Sequence, residues 1–193
     1  MKNFAEELVY WYLRFNGFFP LTNFVLHRQG LQDGHQNADA DLVAIRPKFV
    51  AEEVGNGHRD EYLFGHFSPN TNIGLICEVK SASRLNLEKV HMRREDRIQY
   101  CLRRIGFFSE TKVRLHAEEL RTRSVSKGQF HEVGKLLVTK RENAVPGFIC
   151  LSMNHVEAFI MDRIRYFSRE KEGAKLYFDS DMLQYMIWKS KAR

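Results

Sequence analysis

The chain has 193 residues, of which 44% are hydrophobic and 28% are charged, and these values predict one globular domain rather than a disordered chain. It contains no apolar run of membrane-spanning length, and Glu6 and Glu7 lie where a signal peptide would be basic and then apolar. We therefore expect a cytoplasmic protein without a membrane partner. The three cysteines are far apart and form no C-x-x-C pair, which argues against a disulfide framework and a cysteine zinc site.

The net charge of +6 is unevenly distributed along the chain. Residues 1–80 contain 7 Lys and Arg against 10 Asp and Glu, whereas residues 81–193 contain 23 against 14. An acidic first part followed by a basic second part favours an acidic site with basic surroundings that hold a polyanion.

The first predicted element is a helix over residues 3–16. Its apolar side chains recur at positions 4, 8, 11, 12 and 15, which is the spacing of one buried helix face. Asn3 is a suitable N-cap, and Gly17 is a suitable stop. The aromatic residues of this helix are therefore expected in the core and not on a base-stacking surface.

Three strands are predicted next. The first lies within residues 18–28 and begins after Pro20, the second covers 41–47, and the two are expected to form a hairpin. Residues 48–72 show little periodicity and predict a surface insertion with at most a short helix. The third strand contains the sequence ICEVKS, residues 76–81.

The second half of the chain alternates between helices and strands. A helix over 86–106 precedes strands over 133–140 and 147–152, which are followed by helices over 153–167 and 181–192. This order predicts a central mixed sheet with helices packed against it.

The sequence ICEVKS places two charged residues inside an apolar strand. Side chains alternate along a strand, so Glu78 and Lys80 share one face while Val79 lies on the other. A lone E-x-K is most often an ion pair at a strand edge. Asp41 adds a possible partner: if its strand neighbours the third one, Asp41, Glu78 and Lys80 converge at one end of the sheet.

Two carboxylates and a lysine in one place favour metal-dependent phosphodiester hydrolysis. Carboxylate oxygens are suited to Mg²⁺ or Mn²⁺, which also binds phosphate oxygens. A neighbouring lysine can orient an attacking water or stabilise the charge that grows on the phosphorus centre. No other part of the sequence offers a comparable set of residues.

This D-(30 to 40 residues)-E-x-K arrangement resembles the PD-(D/E)xK nuclease superfamily, which has the restriction-endonuclease-like fold. In members that resemble Holliday-junction resolvases, the first helix carries an acid, then a leucine, then a Gly-aromatic pair. Here these positions are Glu6, Leu13, Gly17 and Phe18. An acid-x-Asp motif entering a strand appears as DADLVAI, and the resemblance covers about residues 4–106.

The resemblance implies an α/β fold with an α-β-β-β-α-β core over about residues 4–140 and a C-terminal extension over 147–193. It also implies roles for site residues. Asp41, Glu78 and the Val79 carbonyl would bind the metal. Lys80 would position the attacking water, and Glu6 would support a second metal or the same water. The side chain of Gln99 would reach toward the site.

The roles of Glu6, of Gln99 and of the basic face of the 86–106 helix each have a structural alternative. Asn3 and Glu6 have capping-box spacing, so Glu6 can instead belong to the helix start. Gln99 can be an ordinary polar helix residue. The outer face of the 86–106 helix can contact phosphates or can simply be solvated. Its basic residues are Arg93, Arg94, Arg97, Arg103 and Arg104.

The sequence thus predicts a Mg²⁺- or Mn²⁺-dependent nuclease that acts on DNA. The alternative is a catalytically inactive module with the same fold that binds nucleic acid or serves in assembly. The sequence leaves open RNA as the substrate, a homodimer, and partner subunits.

Overall fold

The computed structural model describes residues 3–24, 40–50, 58–167 and 179–191. These residues form a mixed α/β structure in which helices flank a six-stranded mixed sheet. Within these ranges no helix has the length and apolar character needed to cross a membrane. The elements in chain order are α1 (Phe4–Phe15), β1 (Phe19–Phe24), β2 (Ala40–Arg46), α2 (Glu61–Phe64), β3 (Asn72–Lys80), α3 (Glu95–Ile105), α4 (Glu110–Thr122), β4 (Val125–Lys127), β5 (His131–Thr139), β6 (Ile149–Ser152), α5 (Met153–Tyr166) and α6 (Asp181–Lys191).

The sheet has the strand order β1-β2-β3-β5-β4, and β6 also pairs with β5. The first three strands are antiparallel neighbours, which confirms the predicted hairpin and makes the strands of Asp41 and Glu78 adjacent. β5 runs parallel to β3, and β6 runs parallel to β5. Parallel neighbours require a crossover connection, and α3 and α4 lie in the connection from β3 to β5.

Helices cover both faces of the sheet. One face, here called the α1 face, packs against α1, α2 and α5, and its central strands contribute Leu42, Ala44, Leu75, Cys77, Val79, Leu136 and Val138. The other, here called the α3 face, packs against α3 and α4, and its strands contribute Val43, Ile76, Val133 and Leu137. Alternation along each strand divides the side chains between these two apolar layers.

The predicted helix over 86–106 is wrong in its first part. Two 3₁₀ turns, Leu87–Lys89 and His91–Arg93, occupy that part, and α3 begins at Glu95. The backbone N–H groups of residues 91 and 92 donate to the carboxylate of Glu78. They are therefore directed toward β3, and a long-range contact decides the local structure. Gly106, with φ of 73°, ends the helix as predicted.

Two further differences from the prediction concern the start of β1 and the elements α4 and β4. β1 begins at Phe19 and includes Pro20, because an edge strand tolerates a residue without a backbone N–H. Its predicted extension from residue 25 to 28 lies outside the described residues. α4 and β4 are not among the predicted elements, although Val113, Ala117 and Leu120 have the i, i+4, i+7 spacing of a buried helix face.

Candidate functional site

Asp41 lies where the pairing of β2 with β3 ends. The last paired residues are Leu42 and Cys77, so Asp41 is one residue beyond the ladder, next to the end of β3 that carries Glu78. Ala40 packs in the layer of the α3 face, whereas Leu42 packs in the α1 face. Regular alternation would place both on one face, and the alternation is therefore interrupted at Asp41.

The Asp41 carboxylate is partly buried, and its burial makes the charged form less favourable. Its Oδ2 accepts a 2.6 Å hydrogen bond from the N–H of Val79. Burial raises the pKa of Asp41 from 3.8 to about 6, and the charges of Glu6 and Glu78 add to this rise, whereas the Val79 N–H and Lys80 oppose it. Asp41 thus lies within electrostatic reach of the other predicted site residues, in surroundings that favour a bound proton or cation.

Glu78 is held by three donors. Its side chain is only 1% exposed, Oε1 accepts from the His91 N–H at 2.7 Å, and Oε2 accepts from the Met92 N–H at 3.0 Å. The Lys80 ammonium lies 2.9 Å from Oε1, and the Lys80 side chain is 23% exposed. The E-x-K pair is therefore a largely buried ion pair with backbone support, and not a pair on the surface.

Glu6 makes contacts that fit both of its interpretations. Its Oε1 accepts from the Asn3 side-chain amide at 2.9 Å, and Asn3 in turn caps α1 by accepting from the Ala5 N–H at 3.1 Å. The charge of Glu6 also adds to the rise that burial produces in the pKa of Asp41. Glu6 thus belongs to the helix start and borders the candidate site.

Two of the predicted phosphate-binding arginines already have acidic partners. Arg94 pairs with Asp96 at 2.8 Å, and Arg103 pairs with Glu110 at 2.6 Å. All four side chains are more than 40% exposed, so these pairs are solvent-accessible and weak. A phosphate would compete with a carboxylate at both positions.

The other residues that were predicted to contact nucleic acid differ in their exposure and in their partners. The Gln99 side-chain amide donates to Glu95 at 2.9 Å, within the same helix. Arg93 is exposed, Arg97 is half-buried, and Arg104 is exposed with its guanidinium over an aromatic ring of its own helix. Arg93 is thus an exposed cation that directly follows the two residues whose amides hold Glu78.

Lys135 is a further residue near the site that the sequence patterns did not predict. This residue pairs in register with Ile76 on the α3 face and is 0% exposed. Its ammonium donates to the Met92 carbonyl at 3.4 Å and lies 4.3 Å from the centre of the Phe148 ring. Burial lowers the pKa of Lys135 to about 8, and Arg93 lowers it further, whereas Glu78 opposes both. The available signal was a lysine within the apolar sequence VGKLLV.

The ligand chemistry of the site fits Mg²⁺ or Mn²⁺ in part. Among the described residues, no three or more His, Cys, Asp and Glu side chains form a group placed to hold a metal ion. Burial is the main cause of the raised pKa of Asp41, and the nearby charges of Glu6 and Glu78 add to it, so a cation bound at this carboxylate would offset the cost of its buried charge. Glu78 already accepts three hydrogen bonds, so Asp41 is the better available ligand.

Comparisons with protein-family models, with curated proteins and with solved structures found no match to this chain. The resemblance to the PD-(D/E)xK superfamily therefore rests on the sequence motifs alone.

Proposed function

We propose that the chain is a divalent-metal-dependent nuclease that hydrolyses phosphodiester bonds of DNA. The observation that carries this proposal is the meeting of Asp41 with Glu78 and Lys80 at one end of two adjacent strands. The succession of a helix, three antiparallel strands, helices and a parallel strand supports a restriction-endonuclease-like core.

The residues of the proposed site divide into metal ligands and groups that act on the water or the phosphate. Asp41, Glu78 and the Val79 carbonyl would hold Mg²⁺ or Mn²⁺, with Glu6 supporting a second ion or the attacking water. When bound, the ion would acidify a water molecule and polarise the phosphate. Orienting the attacking water and stabilising the charge on the phosphate oxygens would depend on side chains of the protein.

Lys80 is suited to the attacking water because it is fixed and still reaches solvent. Its ion pair with Glu78 restrains the ammonium, while 23% of its side chain stays exposed. From this position the ammonium would orient the water or offset the negative charge that develops on the phosphate oxygens. A restrained cation loses little freedom when the substrate binds.

The distribution of charge supports a nucleic-acid substrate. The basic second part of the chain includes Arg93, which is exposed beside the residues that hold Glu78. Its guanidinium can contact a phosphate next to the scissile one without reading the base sequence. We propose DNA as this substrate, and RNA is tested beside it.

The test is a cleavage assay on plasmid DNA, linear DNA and RNA with Mg²⁺, with Mn²⁺ and with EDTA. We expect cleavage of DNA only with a divalent ion, and we expect Asp41→Asn to abolish it. Asp162→Asn is the matched control, because Asp162 is an exposed acid on α5. Absence of cleavage with any divalent ion, or full activity of Asp41→Asn, would refute the proposal. DNA binding without cleavage would favour the inactive module.

A further inference from the structure

Lys135 is an anomaly in the core. Its side chain is fully buried within the α3 face, between Val133 and Leu137 along β5. Burial of an ammonium costs free energy unless it is well paired. Within the described part of the chain the Lys135 ammonium forms no salt bridge, and its one hydrogen bond goes to a backbone carbonyl. An apolar residue would fill this space at lower cost, and the charge therefore requires an explanation.

The hydrogen bonds of Met92 connect Lys135 to Glu78. The Met92 carbonyl accepts from the Lys135 ammonium, and the Met92 N–H donates to Glu78 Oε2. The Met92 side chain is also fully buried. His91 adds the second N–H that holds Glu78. The His91–Arg93 turn is thus held by a lysine on one side and by a carboxylate on the other.

We propose that Lys135 is a positioning residue of the candidate site, which fixes the His91–Arg93 turn through the Met92 carbonyl and thereby orients the Glu78 carboxylate. The catalytic part of this inference rests on the proposed function, because it assumes that Glu78 serves the reaction. The structural part does not depend on it.

This role differs from simple filling of the core. If Lys135 only filled space beside Phe148, a methionine of similar length would serve equally well and would remove a buried charge. If Lys135 holds the turn, methionine leaves the Met92 carbonyl without its donor and loosens the two amides that face Glu78. Lys135→Met therefore separates the two roles.

The first measurement is amide hydrogen exchange of the metal-free protein without DNA. In Lys135→Met we expect the His91 and Met92 amides to exchange about tenfold faster, while amides elsewhere in the sheet keep their rates. Leu137→Met is the matched control, because Leu137 is fully buried on the same face of β5. We expect it to leave both amides unchanged.

The second measurement is the kinetics of cleavage. We expect kcat of Lys135→Met to fall about tenfold to a hundredfold, because a misplaced carboxylate acts on the chemical step. KM for DNA should stay within about twofold, since Lys135 is buried and does not contact the substrate. Leu137→Met should keep both constants. A purely structural role would instead lower the active fraction and leave kcat per folded molecule unchanged.

The outcomes distinguish this inference from the proposed function. Unchanged exchange of the two amides in folded Lys135→Met would overturn the role of Lys135. Absence of cleavage by the wild-type chain would overturn the proposed function, and the exchange measurement would still decide whether Lys135 holds the turn. If Lys135→Met does not fold, Lys135→Gln replaces it, and faster exchange is again expected because glutamine is one atom shorter. If neither folds, Lys135 is a folding residue and the inference is wrong.

Discussion

The two faces of the central sheet are built from the same strands and differ in character. On the α1 face, Leu75, Cys77 and Val79 of β3 are all buried in an apolar layer with aromatic residues of α1. On the α3 face, Ile76 of β3 is buried in an apolar layer, but the next two alternate residues are Glu78 and Lys80. One face follows the burial rule to the end of the strand, and the other departs from it where the candidate site lies.

The charged end of the α3 face shows how a fold accommodates such a departure. Glu78 accepts two backbone hydrogen bonds and one ion pair, and Lys135 donates to a backbone carbonyl. Buried charges are stable when such partners satisfy them. The α1 face therefore keeps apolar packing to the end of β3, whereas the α3 face gives up apolar packing for fixed charges at this end.

The largest expected effect is a loss of folding stability on changing a residue of the α1 face. Leu75→Ala should lower the free energy of unfolding by about 2–5 kcal/mol, because it leaves a cavity in a fully buried layer. Denaturant unfolding measures this change. Cleavage per folded molecule should stay near that of the wild type. A loss below about 1 kcal/mol would show that the α1 face is less important for stability than the comparison suggests.

Lys80→Gln should have the opposite signature. Glutamine is neutral and one atom shorter than lysine, but Glu78 keeps its two backbone donors, so we expect stability to fall by about 1–3 kcal/mol. Loss of the ammonium should reduce the cleavage rate about a hundredfold, or about 3 kcal/mol. Denaturant unfolding and single-turnover kinetics measure the two effects. Lys112→Gln, on the exposed side of α4, is the control. Unfolding of Lys80→Gln, or undiminished cleavage, would make the ion pair structural.

The pH dependence of stability tests Asp41 in the metal-free protein. Because burial raises the pKa of Asp41 from 3.8 to about 6, the folded chain binds this proton more tightly than the unfolded chain. The resulting stabilisation is complete below pH 3.8 and is lost as the pH rises through about 6. We expect a loss of about 2 kcal/mol, since such a pKa rise corresponds to about 3 kcal/mol at most and Asp41 is partly exposed.

The reference for this measurement is Asp41→Asn, studied in EDTA. Its stability should not follow the same transition, so the difference between wild type and variant isolates the Asp41 proton. Denaturant unfolding at several pH values between about 4 and 7 measures it. Parallel profiles of stability against pH for the two proteins would contradict the prediction, because they would show that folding does not raise the pKa of Asp41.

The smallest expected effect concerns the surface beside the α3 face. Arg93→Glu should weaken DNA binding several-fold at all sequences alike and reduce the salt slope by about 1 for the lost phosphate contact. Arg114→Glu makes the same charge change on an exposed position of α4 and should have little effect. Salt titrations of DNA binding measure both. Equal effects of the two variants would indicate general charge attraction and no defined contact.

Local patterns predicted most of the fold. Helical periodicity and the Asn3 cap predicted α1. Turn residues between two apolar segments predicted the hairpin of β1 and β2, and a run of apolar residues predicted the strand around Glu78. α4 was also visible as a pattern and was overlooked. These elements could be predicted because their causes lie within a few residues of one another.

The surroundings of the site could not be predicted in this way. The start of the 86–106 region has helical character in sequence, yet its amides at 91 and 92 bind Glu78, 13 and 14 residues earlier in the chain. Arg103 has the spacing of a surface residue, but only the packing of α3 against α4 places it beside Glu110. Such contacts depend on how elements meet, and no local pattern records that.

The sequence by itself therefore determined which residues are candidates for chemistry: Asp41, Glu78 and Lys80 stand out because charges interrupt apolar strands. Only the tertiary structure decided their surroundings. It placed the Val79 N–H on Asp41 across 38 residues and the Lys135 ammonium on Met92 across 43 residues. The physical reason is that alternation and helical period are local properties of the backbone, whereas burial, hydrogen-bond partners and pKa values depend on which distant segments pack together.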